Sequence, residues 1–223
     1  MRRRLRGWAD FPARRDPRPL VLLSPAVQAG SFPLDGKAKL AFERGLIQAP
    51  PGFPDELLHA MRHHRPQAGP PADPLQVATA TQSASGFLTD RGKQQLPAWE
   101  VHVRGVPEPI WVLDPSVTLR SWWPPEFEDD ELRWPGSRAK LAGDQRTITL
   151  RFSGMPCAYA DYPHIEVLAD GNAVALLPLP EGAGSSGPRR AYAETREVSV
   201  TLPQALGARM LLDGNGSPVL VCL

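Results

Sequence analysis

The chain has 223 residues, of which 42% are hydrophobic, so it is long and apolar enough to bury a core without disulfide bonds or structural metals. Its 26 prolines and 19 glycines are too few for a disordered chain, yet they favour short strands and frequent turns over long helices. Its two cysteines, Cys157 and Cys222, exclude a disulfide framework, and we expect buried thiols at both positions.

The first 18 residues are strongly basic, although the net charge of the whole chain is only +1. We predict a flexible, solvated arm over residues 1–18, followed by a slightly acidic remainder. Such an arm could instead bind nucleic acid, an anionic surface or an acidic partner protein. The four arginines nearest its start would make that contact: Arg2, Arg3, Arg4 and Arg6.

The residues after these arginines do not resemble a targeting segment. A signal peptide has about 7–15 apolar residues at this point, whereas "WADFPARRDPRP" (8–19) contains charges and prolines throughout. The apolar run "LVLL" (20–23) is too short to cross a membrane. We therefore expect a cytoplasmic protein without a transmembrane segment.

Residues 19–74 predict a small N-terminal segment with one short helix. The helix is predicted over 54–64, where a Pro-Asp start precedes apolar residues at helical spacing. Two other apolar runs, 19–27 and 39–47, fit either a strand or a short helix. The prolines of 65–74 predict a linker, and we place the domain boundary after it.

Residues 75–223 predict an antiparallel, mainly β domain. "WEVHV" (99–103) alternates as a half-buried strand does, and "PIWVLDP" (109–115) is apolar on both faces, as in a central strand. The two "DGN" sequences, 170–172 and 213–215, lie between apolar runs and predict hairpin turns. Many short strands with frequent turns favour a β-sandwich or an open barrel, and we predict a β-sandwich-like fold.

The stretch "FLTDRGKQQLPAWEVHVRG" (87–105) contains a turn that could also be a binding site. Asp90 can accept backbone hydrogen bonds where the turn begins, and Gly92 suits its left-handed position. Arg91 at the tip is expected to be solvated or paired with a carboxylate. Turn chemistry therefore explains the tripeptide, while Arg91 remains a candidate binding residue.

Several landmarks of this half of the chain occur in a fixed order. They are Thr89-Asp90-Arg91-Gly92, Leu96-Pro97-Ala98-Trp99, Val112-Leu113-Asp114-Pro115 and the Gly-x-Pro-Cys step at 154–157. Their order resembles that of a group of actinobacterial proteins over about residues 75–223. The resemblance implies a shared fold and indicates no activity. Many of those proteins look secreted or lipid-anchored and have a second cysteine before the strand that corresponds to "REVSV" (196–200), features that this chain does not share.

His102 is the best-placed candidate for a catalytic base. It lies on a predicted strand beside Glu100 and close in sequence to Asp114, so the three could serve a hydrolase. No G-x-S-x-G sequence supplies a nucleophile for them. Cys157 with His164 is a further pair to consider. The alternative for His102 is a place on the polar face of a strand.

Two patterns suggest metal binding. Glu56, His59 and His63 fall on one face of the predicted helix, where two histidines four residues apart can chelate a transition metal. The acidic run "EFEDDE" (126–131) could bind calcium but lacks the spacing of a calcium loop. For both patterns we favour a solvated polar surface over a metal site. The chain has no P-loop, no dinucleotide-binding glycine motif and no paired metal-type cysteines, so we expect no cofactor.

Trp122 and Trp123 are adjacent and precede two prolines, so they could plug one end of a sandwich or anchor a partner protein. Because no coherent catalytic set emerges, we predict a non-catalytic binding or protein-interaction module. One alternative is a hydrolase that uses His102 with Glu100 or Asp114. Another is a structural or assembly protein whose sheet edges pair between chains.

Overall fold

The structure, a computed structural model, describes residues 2–29, 36–63, 72–124, 137–154, 160–181 and 193–222. The described helices are α1 (Arg2–Ala9), α2 (Gly36–Glu43), α3 (Asp55–His63) and α4 (Pro115–Thr118). The described strands are β1 (Val27–Ala29), β2 (Ile47–Gln48), β3 (Leu75–Thr89), β4 (Gly92–Val103), β5 (Ile110–Leu113), β6 (Arg138–Leu141), β7 (Thr147–Gly154), β8 (Asp161–Asp170), β9 (Ala173–Glu181), β10 (Glu194–Thr201), β11 (Met210–Leu212) and β12 (Leu220–Cys222). Strand predominates, so the predicted mainly β class is confirmed.

The chain divides into two compact units. Unit 1 consists of Met1–Leu23, Leu88–Gly92 and Trp122–Leu223, and unit 2 consists of Ser24–Phe87 and Lys93–Ser121. This division does not coincide with the boundary predicted at residue 75. The reason is that β2 and β3, which lie on either side of the proline-rich segment, pair in parallel within one sheet.

Unit 2 is built on a sheet with the strand order β1-β5-β4-β3-β2. The predicted helix at 54–64 is confirmed as α3, and the run at 39–47 contains the end of α2 and the first residue of β2. Ala41 of α2 and Leu57 of α3 belong to the same buried cluster as Val101 of β4 and Ile110 of β5. The two helices therefore cover one face of the sheet, the face on which Val101 lies.

Unit 1 contains the sandwich. One sheet has the order β10-β7-β6-β12 and the other has the order β11-β9-β8. A buried cluster joins them, with Leu150 of β7 and Val221 of β12 from one sheet and Leu176 of β9 and Leu211 of β11 from the other. The predicted antiparallel character holds for β7 with β10 and for β8 with β9, whereas β11 with β9 and β12 with β6 are parallel.

The basic N-terminal residues differ from the flexible arm that the sequence predicts over 1–18. Residues 2–9 are helical, and Leu5 and Trp8, three positions apart, share the buried face of α1. With Phe11 they belong to a core cluster of unit 1 that also contains Met210. The arginines had suggested a solvated segment, but the apolar residues between them form one side of an amphipathic helix. None of the helices in the described ranges combines the length and the apolar composition needed to cross a bilayer.

Candidate functional site

The turn between β3 and β4 is held by an ionic cluster within unit 1. Asp90 is only 3% exposed, and its Oδ2 atom accepts a hydrogen bond of 2.6 Å from Nη2 of Arg18. Nε of Arg91 lies 3.4 Å from the same oxygen. The Arg18 guanidinium also lies over the Phe11 ring, 4.6 Å from its centroid. Asp90 is therefore a buried, charge-paired turn residue.

Arg91, a predicted binding residue, directs its guanidinium at its own chain. Nη2 donates to the carbonyl oxygens of Gly207 at 2.9 Å and Arg209 at 2.7 Å. Burial lowers the pKa of Arg91, an effect that the neighbouring Asp90 carboxylate opposes. These contacts tie the turn to the 207–209 loop and leave little of the side chain at the surface.

His102 and Glu100 lie on the sheet face opposite Trp99 and Val101, since side chains alternate along β4. Their side chains are 45% and 32% exposed, with 3.1 Å between His102 Nε2 and Glu100 Oε1. Val101 is paired with Ile110, four residues before Asp114. At about 3.3 Å per residue, Asp114 is therefore roughly 13 Å along the strand direction from the level of Val101. The predicted trio is therefore a His102–Glu100 pair and a separate carboxylate.

A cleft of about 890 Å³ lies beside Trp99 in unit 2. We call it the Trp99 cleft. Its apolar lining includes Leu113 and Leu119, and Leu119 is 87% exposed. Three of the sequence candidates, Glu56, His59 and Asp114, also line it. Its volume lies within the range of pockets that bind small organic molecules, about 300–1,000 Å³.

Asp114 is held rigidly in this cleft. It is the N-cap residue of α4, where Pro115 takes the first helical position. Its Oδ1 atom accepts hydrogen bonds from the backbone N–H of Ser116 at 2.9 Å and from the Ser116 hydroxyl at 2.6 Å. Its Oδ2 atom accepts one from the Trp99 indole at 3.1 Å. The Ser116 hydroxyl is the main cause of a lowered pKa of Asp114, so the carboxylate is ionised at neutral pH.

The candidate metal set is only partly described. Glu56 and His59 are on α3 at the cleft, while the side chain of His63 lies outside the described residues. Within the described ranges, no three His, Cys, Asp or Glu side chains are grouped so that they could hold a metal ion. The acidic run at 126–131 also lies outside the described residues. Both metal hypotheses stay predictions.

Trp122 and Trp123 pack inside unit 1. Their ring centroids lie 5.4 Å and 5.2 Å from that of Trp8, and the Trp122 ring meets Phe11 edge to face at 5.2 Å. The indole N–H groups of Trp8 and Trp123 are buried, and neither donates to an acceptor among the described residues. Both rings pack against a cluster on the side of β9 and β11 that faces away from the other sheet. Plugging a sandwich end and anchoring a partner both stay predictions.

The remaining candidates are dispersed. Arg2, Arg3 and Arg6 are exposed on α1, while Nη1 of Arg4 donates to the carbonyl oxygen of Asn215 at 2.6 Å. Cys222 is exposed, contrary to the expected buried thiol, because it lies on the outward side of β12 while its neighbour Val221 is in the core. Cys157 lies outside the described residues.

Sequence reasoning missed the Trp99 cleft, although it singled out Trp99, Asp114 and His59 for other reasons. The only local signal is the Asp114-Pro115-Ser116 sequence at the end of an apolar strand, which is typical of a helix N-cap. That signal places one carboxylate but not the helix α3 that faces it. Comparison of the chain with protein-family models, with curated proteins and with solved structures found no match.

Proposed function

We propose that the chain is a non-catalytic binding module and that the Trp99 cleft binds a small organic ligand. The cleft itself carries the proposal, because its volume of about 890 Å³ suits a molecule rather than a single side chain. Most of its lining is apolar, including Ala26, Leu57, Ala60 and Leu113. Such a surface gains free energy when a ligand displaces water from it.

The chemistry of Asp114 supports binding over proton transfer. A general base works best when its pKa lies near the operating pH. The pKa of Asp114 is instead lowered, and both of its oxygens already accept hydrogen bonds from Trp99 or Ser116. A carboxylate held in this way is a poor proton acceptor but a well-oriented negative charge. It is suited to orienting a ligand.

Titration with the neutral, apolar dye Nile red, followed by its fluorescence, tests the proposal. We expect saturable binding to the wild-type protein, and about ten-fold weaker binding to Leu119→Ser, which removes an exposed apolar side chain from the cleft rim. Leu179→Ser is the matched control, since Leu179 is also exposed but lies on β9 of unit 1. Its dye affinity should equal that of the wild type.

Two results would contradict the proposal. Equal loss of dye binding in both variants, or in neither, would show that the dye binds elsewhere. A dye affinity that falls with protein concentration, together with a dimer in sedimentation velocity, would show that a second copy of the chain covers the cleft. Circular dichroism of both variants establishes that any loss is not due to unfolding.

A further inference from the structure

We infer that the ligand of the Trp99 cleft is an organic cation, with an ammonium or guanidinium group on an apolar body. This inference rests on the proposed function and adds the chemical class of the ligand. It depends on the signs of the charges that line the cleft and on where those charges lie relative to its aromatic wall.

The charged lining is negative. Among the described residues that line the cleft, the carboxylates are Asp55, Glu56 and Asp114, and none is Lys or Arg. His59 is the one described lining group that could add positive charge. An anionic ligand would therefore enter against three carboxylates, whereas a cation would be attracted by all of them.

The start of α3 opposes this attraction only in part. The N-terminus of a helix carries the equivalent of about half a positive charge, and Pro54, Asp55 and Glu56 at the start of α3 line the cleft. Asp55 and Glu56 each bring a full negative charge to the same turn. The net field at this end of the cleft therefore stays negative, and the helix terminus is not available to an anion.

Asp114 and Trp99 together form the strongest point of recognition. The indole N–H of Trp99 donates to Asp114 Oδ2, so the ring and the carboxylate are adjacent in the wall. A cation paired with Asp114 would lie beside the edge of the Trp99 ring, and because Asp114 is only partly buried its attraction for the cation would decrease as salt is added. The apolar body of the ligand would then contact Leu113 and Leu119.

A pair of probes of equal shape separates charge from apolar contact. The cation is 4-hydroxyphenyltrimethylammonium, and its neutral carbon isostere is 4-tert-butylphenol. Each is titrated calorimetrically into the full chain and used to displace Nile red. We expect the cation to bind at least ten-fold more tightly than the neutral probe, with a preference that decreases as salt is added.

Asp114→Asn tests which carboxylate is responsible. The amide oxygen of this variant can still accept the hydrogen bonds from Ser116, so the local fold should persist, as circular dichroism will verify. We expect the cation to bind about ten-fold more weakly and the neutral probe to bind unchanged. Asp144→Asn is the control, because Asp144 is an exposed turn carboxylate of unit 1, and it should alter neither affinity.

The possible failures are distinguishable. Equal affinities of the two probes for the wild-type protein would overturn the cation inference and leave the binding module standing. A cation preference that survives in Asp114→Asn would overturn the assignment to Asp114. If neither probe binds and Nile red does not bind either, both the inference and the proposed function are wrong.

Discussion

The Asp90 side chain is almost fully buried, and the guanidinium groups of Arg18 and Arg91 replace most of the water that would otherwise hydrate its carboxylate. Its backbone is equally occupied, because its N–H donates to Val21 and its carbonyl accepts from Val221. A buried charge is tolerated when it is paired and hydrogen-bonded, and removing one partner leaves the desolvation penalty uncompensated. The Arg18–Asp90 pair is therefore expected to matter much more than an ion pair at the surface.

Arg18→Ala should lower the free energy of unfolding by about 2–4 kcal/mol, because Asp90 then retains only the longer contact with Arg91. Urea denaturation followed by tryptophan fluorescence measures the change. The control is Arg151→Ala, whose partner Glu197 is 3.9 Å away and exposed, so that variant should change stability by less than about 0.5 kcal/mol. Similar losses of unfolding free energy in the two variants would mean that the burial of Asp90 does not make its ion pair more important than a surface pair.

The turn at Asp90–Gly92 could be predicted from its own residues, whereas the distant residues that contact it could not. Asp90 and Gly92 have side-chain and backbone preferences that act over four residues, and Gly92 does adopt a positive φ of 97°. Arg91 instead contacts Gly207 and Arg209, more than one hundred positions away. No local pattern encodes such a contact, because it depends on the path of the whole chain.

The two Asp-Gly-Asn sequences show how the same signal can have different outcomes in separate elements. At 170–172 the prediction is confirmed, since β8 and β9 form an antiparallel hairpin around a Gly171 with positive φ. At 213–215 the chain also forms a local hairpin, with an antiparallel bridge between Leu212 and Pro218, but over their lengths β11 pairs in parallel with β9 and β12 pairs in parallel with β6. The second turn therefore carries the chain from one sheet to the other. Turn residues determine that the chain reverses, but they do not determine which strands then pair with each other.

The end of α2 is a place where only glycine fits. The N–H of Leu46 donates to the Ala41 carbonyl and the N–H of Gly45 donates to the Phe42 carbonyl, the paired bonds of a Schellman cap. Gly45 has a φ of 63°, and a Cβ atom there would lie 2.0 Å from the backbone oxygen of Arg62. Backbone conformation and close contact with α3 therefore both exclude a side chain.

Gly45→Ala should destabilise unit 2 by at least about 2 kcal/mol, because left-handed strain adds to a backbone overlap that cannot relax without moving α3. Gly105→Ala is the matched control, since Gly105 has a φ of 75° and open space around its Cα. Gly105→Ala should therefore cost only the strain of placing Ala in the left-handed region, about 1 kcal/mol. Urea denaturation compares the two variants, and equal losses would contradict the close approach of α3 at Gly45.

For the whole molecule, the fold class followed from the sequence but the division into units did not. Turn frequency and strand alternation are short-range properties, so a mainly β chain could be recognised from them. Each unit, however, is assembled from separate stretches of the chain, which no change of composition marks. The candidate site could not be predicted for the same reason. Trp99 and Asp114 stood out in the sequence, whereas the cleft also needs α3, which precedes the proline-rich segment.

A fragment starting at the predicted boundary tests this division directly. Residues 75–223 alone would lack Trp8 and Phe11 from a core of unit 1, and Leu57 and Met61 from the core of unit 2. We expect the fragment to show no cooperative thermal transition by near-ultraviolet circular dichroism, while the full chain shows one. A cooperative transition in the isolated fragment would mean that the domain boundary predicted after residue 74 separates two folding units.

The position of α1 has a consequence for synthesis on the ribosome. Leu5 and Trp8 share their core cluster with Ala173, Met210 and Leu220. At about 5–20 residues per second, those partners are made roughly 10–40 s after the helix itself. The helix is therefore made long before these partners, and until they emerge the nascent chain must shield an apolar helix face from aggregation.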